Sequence, residues 1–518
     1  MSLSKTSRPA IAAAIAFLAL ISLPYVLALL LTPPDRIFAG FLVNPLDGFS
    51  YLAKMHQGLQ GNWLFELPYA AEAGEPALLF SFYLGLGHLA RLLGANLIHV
   101  FHGVRLLAAG MMAFAGYRFL KVALPSPQAR NWGFFLLMLG SGLGWLVAPF
   151  GGLTSDLTIP ESIPFFASAL NPHFPLSYAC IALAAANALS PEPRMIKTSL
   201  NVGLGFLLGA IQPFAAVSMA LVLGLWLGWE TLRPDQGKRA ILDTAGIYPT
   251  AGLALGAAPW IFYDLWLTQS HPVLALWNLQ NQTPSPHPLA YLTGFGIPLL
   301  LAVIGILQKR DGSDRSWRLM LIWLVVNGLL LYAPFSLQRR FSMGLFLPIA
   351  ALAGVGIERL IRRRHWPAYL LVGLSIPSNL FVLAAGLSLV AEGSPLLLLH
   401  EDERAAYRWI SDRLEDDSLV LAAPRTGNRL PAYADVRVLY GHPFETPQAE
   451  RKEAMVEELL RLAAESPSDA AFELRAMGVE LLYLGPYERA IVGEAARWPS
   501  WPVLYSDGQV ELLDVSEP

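Results

Sequence analysis

The sequence predicts a polytopic α-helical membrane protein that ends in a small soluble α/β domain. Three observations carry this. Of the 518 residues, 54% are hydrophobic and only 14% charged, where soluble domains carry about 25% charged residues. The apolar residues gather in runs close to the length of about 20 residues needed to cross a bilayer. Charge is also divided along the chain: residues 1–400 hold 24 Lys+Arg against 16 Asp+Glu, and 401–518 hold 12 against 23. An apolar, basic body therefore precedes an acidic tail, with predicted domains 1–392 and 393–518. Nothing in this composition points to nucleic acid. The single cysteine, Cys180, excludes an internal disulfide.

Eleven apolar runs bounded by charge read as spans: 10–31, 97–118, 132–150, 174–190, 197–212, 214–232, 243–266, 288–307, 317–334, 343–361 and 367–391. The first is too long for a secretory signal core and reads as a retained helix. Two stretches are ambiguous. Residues 77–94 are apolar enough to span, and 198–229 is either one long helix or two that meet at Gln212-Pro213. Basic residues flanking short loops stay cytoplasmic, which arbitrates. With 77–94 on the membrane surface and 198–229 divided, one side collects Lys5 and Arg8; Arg118, Lys121 and Arg130; Arg194 and Lys197; Arg233, Lys238 and Arg239; Lys309, Arg310, Arg315 and Arg318; and Arg359, Arg362, Arg363 and Arg364. The N-terminus is then cytoplasmic and the tail extracytoplasmic. The outer face carries a long first loop, 32–96, with surface helices expected near 46–60 and 76–94, and further loops at 151–173 and 267–287.

In the tail, Ser418–Ala423, Val436–Gly441 and Val479–Gly485 are short β-like runs. Helical patterns fall at 401–414, 448–465 and 468–477. A closing hairpin, 502–515, is expected to turn at Asp507-Gly508.

Charged groups at membrane depth are expensive and each needs a reason. Asp47, just beyond the first span, could act as a general base; the plainer account is an N-cap for the helix that follows. His99, His102 and Arg105 recur at spacing three on the outer end of the second span, on one helix face, suited to interhelical hydrogen bonds or, with less support, to a metal. Arg339-Arg340 sit in a short outer loop, against the sign rule, and paired guanidiniums suit a phosphate. Asp264, at the outer end of the seventh span, either pairs with an arginine or serves the site. Glu72 and Glu75 would open the second surface helix and complement its dipole.

This layout resembles the GT-C glycosyltransferases, which include protein O-mannosyltransferases, aminoarabinose transferases and bacterial relatives. Asp47, followed by Tyr51-Leu52-Ala53 and Gly58, looks like the first-loop aspartate of that superfamily and its helix. Arg105 in Val104-Arg105-Leu106 looks like the second-span arginine. Glu75-Pro76 stands where many relatives have His-Pro-Pro, and Asp156 or Glu161 falls where they carry a second acidic group. The resemblance covers about residues 1–390 by layout and only short motifs by sequence.

It implies an inverting transfer of a sugar from a polyprenyl-phosphate donor to a hydroxyl of a glycan, lipid or protein acceptor on the outer face. Asp47 would be the base and Arg339 or Arg340 would hold the donor phosphate. His99, His102, Arg105, Glu75, Asp156, Glu161 and Asp264 would form the supporting polar site. No cofactor is specified, and a divalent metal is left open. The implied setting is a bacterial plasma membrane, with membrane lipids as neighbours; an endoplasmic reticulum location has the same topology. Two rivals stand beside it. A transporter or flippase would show inverted repeats and broken helices near the midplane. A non-catalytic scaffold would give Asp47 and Arg339-Arg340 no task.

Overall fold

The computed structural model describes residues 8–72, 74–190, 194–232, 246–307, 314–493 and 498–515. Of the basic residues used to orient the chain, Lys5, Arg233, Lys238, Arg239, Lys309 and Arg310 lie outside the described residues. The chain divides into two compact units. The first comprises residues up to Leu27, His102–Asp264 and Thr283–Leu387; the second comprises Ala28–Phe101, Leu265–Gln282 and the chain from Ser388 onward.

The first unit is helical. Among the described residues six helices are long and apolar enough to cross a membrane: Arg8–Leu31, Leu97–Ala123, Pro213–Thr231, Pro288–Ile306, Gln338–Arg363 and His365–Ala391. The helix α1, Arg8–Leu31, buries little of its length and is apolar all round, as a lipid-facing span requires. Helices also cover His173–Leu189, Arg194–Ile211, Ile247–Ser270 and Arg315–Leu330. The run 198–229 divides at Gln212-Pro213, because proline removes an amide and opens the next helix at its first position.

The run 132–150, expected as one helix, is broken. Pro127–Leu139 and Gly144–Phe150 meet at 47°. The side chain of Asp156 accepts from the amides of Gly142 and Gly144 at 3.0 and 3.1 Å, and the amide of Ser141 donates to the Ser375 carbonyl. Amides freed from the helix ladder are thus satisfied where no water would otherwise reach them.

The second unit joins the first outer loop to the tail. Helix α2, Pro45–Gln60, starts with proline at its first position and stops at Gly61 in the left-handed conformation. Helix α3, Ser81–Leu93, has 13 residues, about 20 Å at 1.5 Å per residue. That is short of the roughly 30 Å hydrocarbon core. It begins later than expected, because an antiparallel bridge between Phe65 and Ala77 keeps the preceding chain extended and Phe80 takes a positive φ. Helices α2 and α3 pack at backbone distance: a Cβ on Gly87 would lie 2.0 Å from the Met55 carbonyl oxygen, and one on Gly58 would lie 2.1 Å from that of Leu84.

Strand β1, Arg36–Phe38, pairs antiparallel with β2, Leu398–His400. The remaining strands are β3 (Ser418–Leu421), β4 (Val436–Val438), β5 (Val479–Leu484), β6 (Val503–Asp507) and β7 (Val510–Asp514). They form one mixed sheet in the order β4-β3-β5-β7-β6, with β3 parallel to β4 and β5, and the closing β6–β7 hairpin antiparallel. Gly508 in its turn has φ 55°. The helices Ala449–Glu465 and Pro467–Ala476 cover the sheet, burying Leu459, Leu460 and Leu474 against Leu421 and Leu482. Each fully buried aliphatic side chain contributes about 1.5–3 kcal/mol. The first loop is stitched to this sheet: the Val438 amide donates to the Pro68 carbonyl at 2.9 Å, and Arg437 reaches the Ala71 carbonyl.

Candidate active site

Asp47 is the third residue of α2 and does not cap it. The capping position belongs to Asn44, whose φ is 49°, and no side chain caps the helix there. Asn44 instead donates its side-chain amide to Asp47 Oδ2 at 2.6 Å. The other oxygen, Oδ1, lies 3.0 Å from His442 Nε2. The amide of Phe444 donates to His442 Nδ1 at 3.2 Å, so Nε2 carries the proton and donates to Asp47. His442 is 2% exposed and the Asp47 side chain 36%: the donor is sealed in, and the residue it fixes is only part-buried.

A second layer lies along the same helix face. Asp47, Ser50 and Lys54 fall at positions i, i+3 and i+7, which align on one side of a helix. Lys54 is fully buried, donates to both oxygens of Glu445 at 2.8 and 2.9 Å, and donates to Ser50 Oγ at 2.5 Å. Ser50 in turn donates to Glu445 Oε1 at 2.6 Å. The ammonium also stands 4.3 Å from the centre of the Phe80 ring. His442 and Glu445 belong to one turn, closed by Thr446 Oγ1, which accepts from the amides of Gly441 and His442. Gln280 braces that turn, donating to the Thr446 carbonyl and accepting from the Gln448 amide.

Burial works to raise the Asp47 carboxyl, but the hydrogen bond from His442, with Asn44 and the Lys54 ammonium, outweighs it and holds it below the ordinary carboxylate value. For Glu445, burial is likewise outweighed, by Lys54, His442 and Ser50. Both carboxylates are therefore ionised at neutral pH, as charge-assisted hydrogen bonds of this kind favour.

The first unit carries the expected phosphate-binding arginines. Arg339 and Arg340 lie in a short 3-10 turn, Gln338–Ser342. The Arg339 amide donates to the Thr283 carbonyl, and Arg340 stands over the Phe214 ring at 5.5 Å. The turn Pro160–Ser162, which contains Glu161, packs on this segment. Buried polar atoms collect here without a hydrogen-bond partner among the described residues: Arg339 Nε, Glu161 Oε2, Ser342 Oγ and Thr283 Oγ1.

The remaining groups are scattered. Asp156 is fully buried and spends its oxygens on Gly142, Gly144 and Thr154. Of the two expected acids, Glu161 is the one with an oxygen to spare. Arg105 donates to the carbonyls of Ile21 and Ser168 and to His102 Nδ1, and stacks on Tyr25; these bonds tie helices together. His99 is exposed, and Asp264 is half-buried on Ile247–Ser270. Glu75 does not open α3; it lies six residues earlier, where its carbonyl accepts from His271 Nε2 at 2.8 Å. Among the described residues no group of three or more His, Cys, Asp or Glu is arranged to hold a metal ion, and the Asp47 oxygens already accept from two N–H donors.

Sequence reasoning missed Lys54, His442 and Glu445. The signal for Lys54 was present: a lysine between Ala53 and Met55, on the helix face of Asp47. The signal for His442 and Glu445 was absent, because their partners Asp47 and Ser50 each lie 395 residues away in sequence.

No family model matches the chain, and no curated protein matches it by sequence. Solved structures do match in fold. The Archaeoglobus fulgidus oligosaccharyltransferase tethered with an acceptor peptide aligns with TM-score 0.53 at 12% identity, over 90% of this chain and 69% of that one. ArnT from Cupriavidus metallidurans in the apo state aligns with TM-score 0.51 at 12% identity, over 98% and 100%. The arabinofuranosyltransferase AftD from Mycobacteria aligns with TM-score 0.51 at 17% identity, over 100% of this chain and 42% of that larger protein. At such identities the shared property is the fold. The alignments take in nearly all of this chain, membrane-length helices and C-terminal sheet together, and the chain is a multi-pass membrane protein that shares the fold of these three structures.

Proposed function

We propose that the protein is a glycosyltransferase of the outer membrane face, taking a sugar from a polyprenyl-phosphate donor and placing it on an acceptor hydroxyl with inversion. The observation that carries this reading is Asp47: an ionised, part-exposed carboxylate fixed at both oxygens by buried or capping donors. That is a poor arrangement for a mere helix cap and a good one for a base of fixed direction. An ionised carboxylate keeps further lone pairs free when each oxygen accepts one hydrogen bond, so it can still receive a proton.

In the proposed step the acceptor oxygen attacks the anomeric carbon and its proton passes to Asp47. The bond between that carbon and the phosphate oxygen breaks, and the electron pair leaves on the phosphate. Arg339 and Arg340 hold that phosphate and offset the growing negative charge. The orphaned Arg339 Nε, Ser342 Oγ and Thr283 Oγ1 supply further donors, and Glu161 orients them or a donor hydroxyl. The names of the fold neighbours support the reaction class: one transfers oligosaccharide and holds an acceptor peptide, another transfers arabinofuranose. The membrane is a bacterial inner membrane in this reading, with the N-terminus cytoplasmic.

The test uses purified protein in lipid discs and a panel of radiolabelled polyprenyl-phosphate hexoses and pentoses. Asp47→Asn should lower turnover by about 10²–10⁴-fold, the usual contribution of a general base, with the fold intact. Arg339→Ala and Arg340→Ala should raise donor KM and also lower kcat, because the charge they offset grows as the phosphate leaves. Full turnover by Asp47→Asn would end the base assignment.

A further inference from the structure

The proposed base leaves open why the chain continues beyond its helices, and the answer lies in the turn 441–446. We propose that His442, carried by the C-terminal segment, is the positioning residue for Asp47, so that the tail completes the catalytic loop. This rests on the reading of Asp47 as base and deepens it.

The geometry is directional. With Nδ1 occupied by the Phe444 amide, His442 can only donate from Nε2, and it does so to Asp47 Oδ1 at 3.0 Å. The ring is 2% exposed and lies on the Tyr69 ring, centroids 6.2 Å apart, so it cannot swing away. The turn cannot drift either: three residues on, Glu445 is locked to Ser50 and Lys54 of the same helix that bears Asp47. Two side chains of one turn thus grip one helix at its first turn and at its middle. A structural anchor would need only the Lys54–Glu445 pair. The His442 contact adds nothing to that anchor except a fixed direction for the Asp47 carboxylate. The titratable and charged groups facing Asp47 are His442, Lys54, Tyr69 and Tyr83, with Glu445 beyond Lys54 and His442.

The experiment compares wild type, His442→Ala, His442→Gln and Asp47→Asn in lipid discs, with two readouts. The first is turnover of the polyprenyl-phosphate sugar panel against pH. The second needs no substrate: the pH midpoint of carbodiimide labelling at Asp47, followed by peptide mass mapping. His442→Ala should lower kcat about 10–100-fold, the usual cost of a misplaced group, with donor KM within about 2-fold. Its acid limb and its labelling midpoint should both move to higher pH. His442→Gln keeps an N–H donor and should recover most of the rate and return the midpoint toward wild type. An unchanged rate and labelling midpoint in folded His442→Ala would overturn the proposal. If Asp47→Asn itself keeps turnover, the base reading fails, and the labelling midpoint still decides whether His442 governs Asp47.

Discussion

Replacing Lys54 by methionine probes the contact on which the second unit turns. Lys54 and Glu445 are 1% and 13% exposed and 2.8 Å apart. At that distance, with an effective dielectric near 20, the attraction is about 6 kcal/mol. The cost of taking both ions out of water offsets most of it, so the pair adds little net stability. Removing one partner is different. In Lys54→Met the thioether chain would fill the space under Phe80 but leave the Glu445 carboxylate buried with only Ser50 and His442 near it. That should cost about 3–5 kcal/mol. The double variant Lys54→Met/Glu445→Leu removes both charges and should regain most of the loss, coming within about 1 kcal/mol of wild type. Pulse proteolysis across a urea series, with the protein in lipid discs, reads each difference. A single variant within about 1 kcal/mol of wild type, or a double variant as unstable as the single, would refute the argument that the cost arises from an orphaned buried charge.

Two further outcomes follow from the same unit. Gly87→Val should separate α2 from α3, because its Cβ would sit 2.0 Å from a backbone oxygen that cannot move alone; overpacking of this kind costs about 1–3 kcal/mol or more. Gly85→Ala on the same helix meets nothing within 4 Å and serves as the control in thermal melts followed by tryptophan fluorescence. Acid should also loosen the unit. Asp47 and Glu445 are both held below their ordinary values of 3.8 and 4.5. Their stabilisation is therefore complete above the ordinary carboxylate range and is lost as pH falls through the depressed folded values. The melting midpoint should hold steady from about pH 8 to about 5 and fall below about 4. Glu445→Gln should flatten that fall; an identical acid slope in the variant would remove Glu445 from the account.

Much of this protein was legible in its sequence because the governing forces are local. A bilayer demands apolar runs of fixed length, and α1 and its fellow spans obey regardless of what they pack against. The tail strands 418–421, 436–438 and 479–484 and the turn at Gly508 follow from short apolar runs and turn chemistry within a few residues. Asp47 could be singled out because a carboxylate beside a first span needs a reason. Other features depended on partners far along the chain. The break at residues 140–143 exists because Asp156 and Ser375 satisfy its amides. The late start of α3 follows from the Phe65–Ala77 bridge. The carbonyls of Ile21 and Ser168 that take up Arg105 are likewise remote in sequence. Above all, the sequence left Asp47 between general base and helix cap, and the contact that fixes its carboxylate comes from His442, 395 residues on. Periodicity records which face of a helix is buried, but hydrogen bonds between side chains have no period, so only the folded chain decides which charged groups meet.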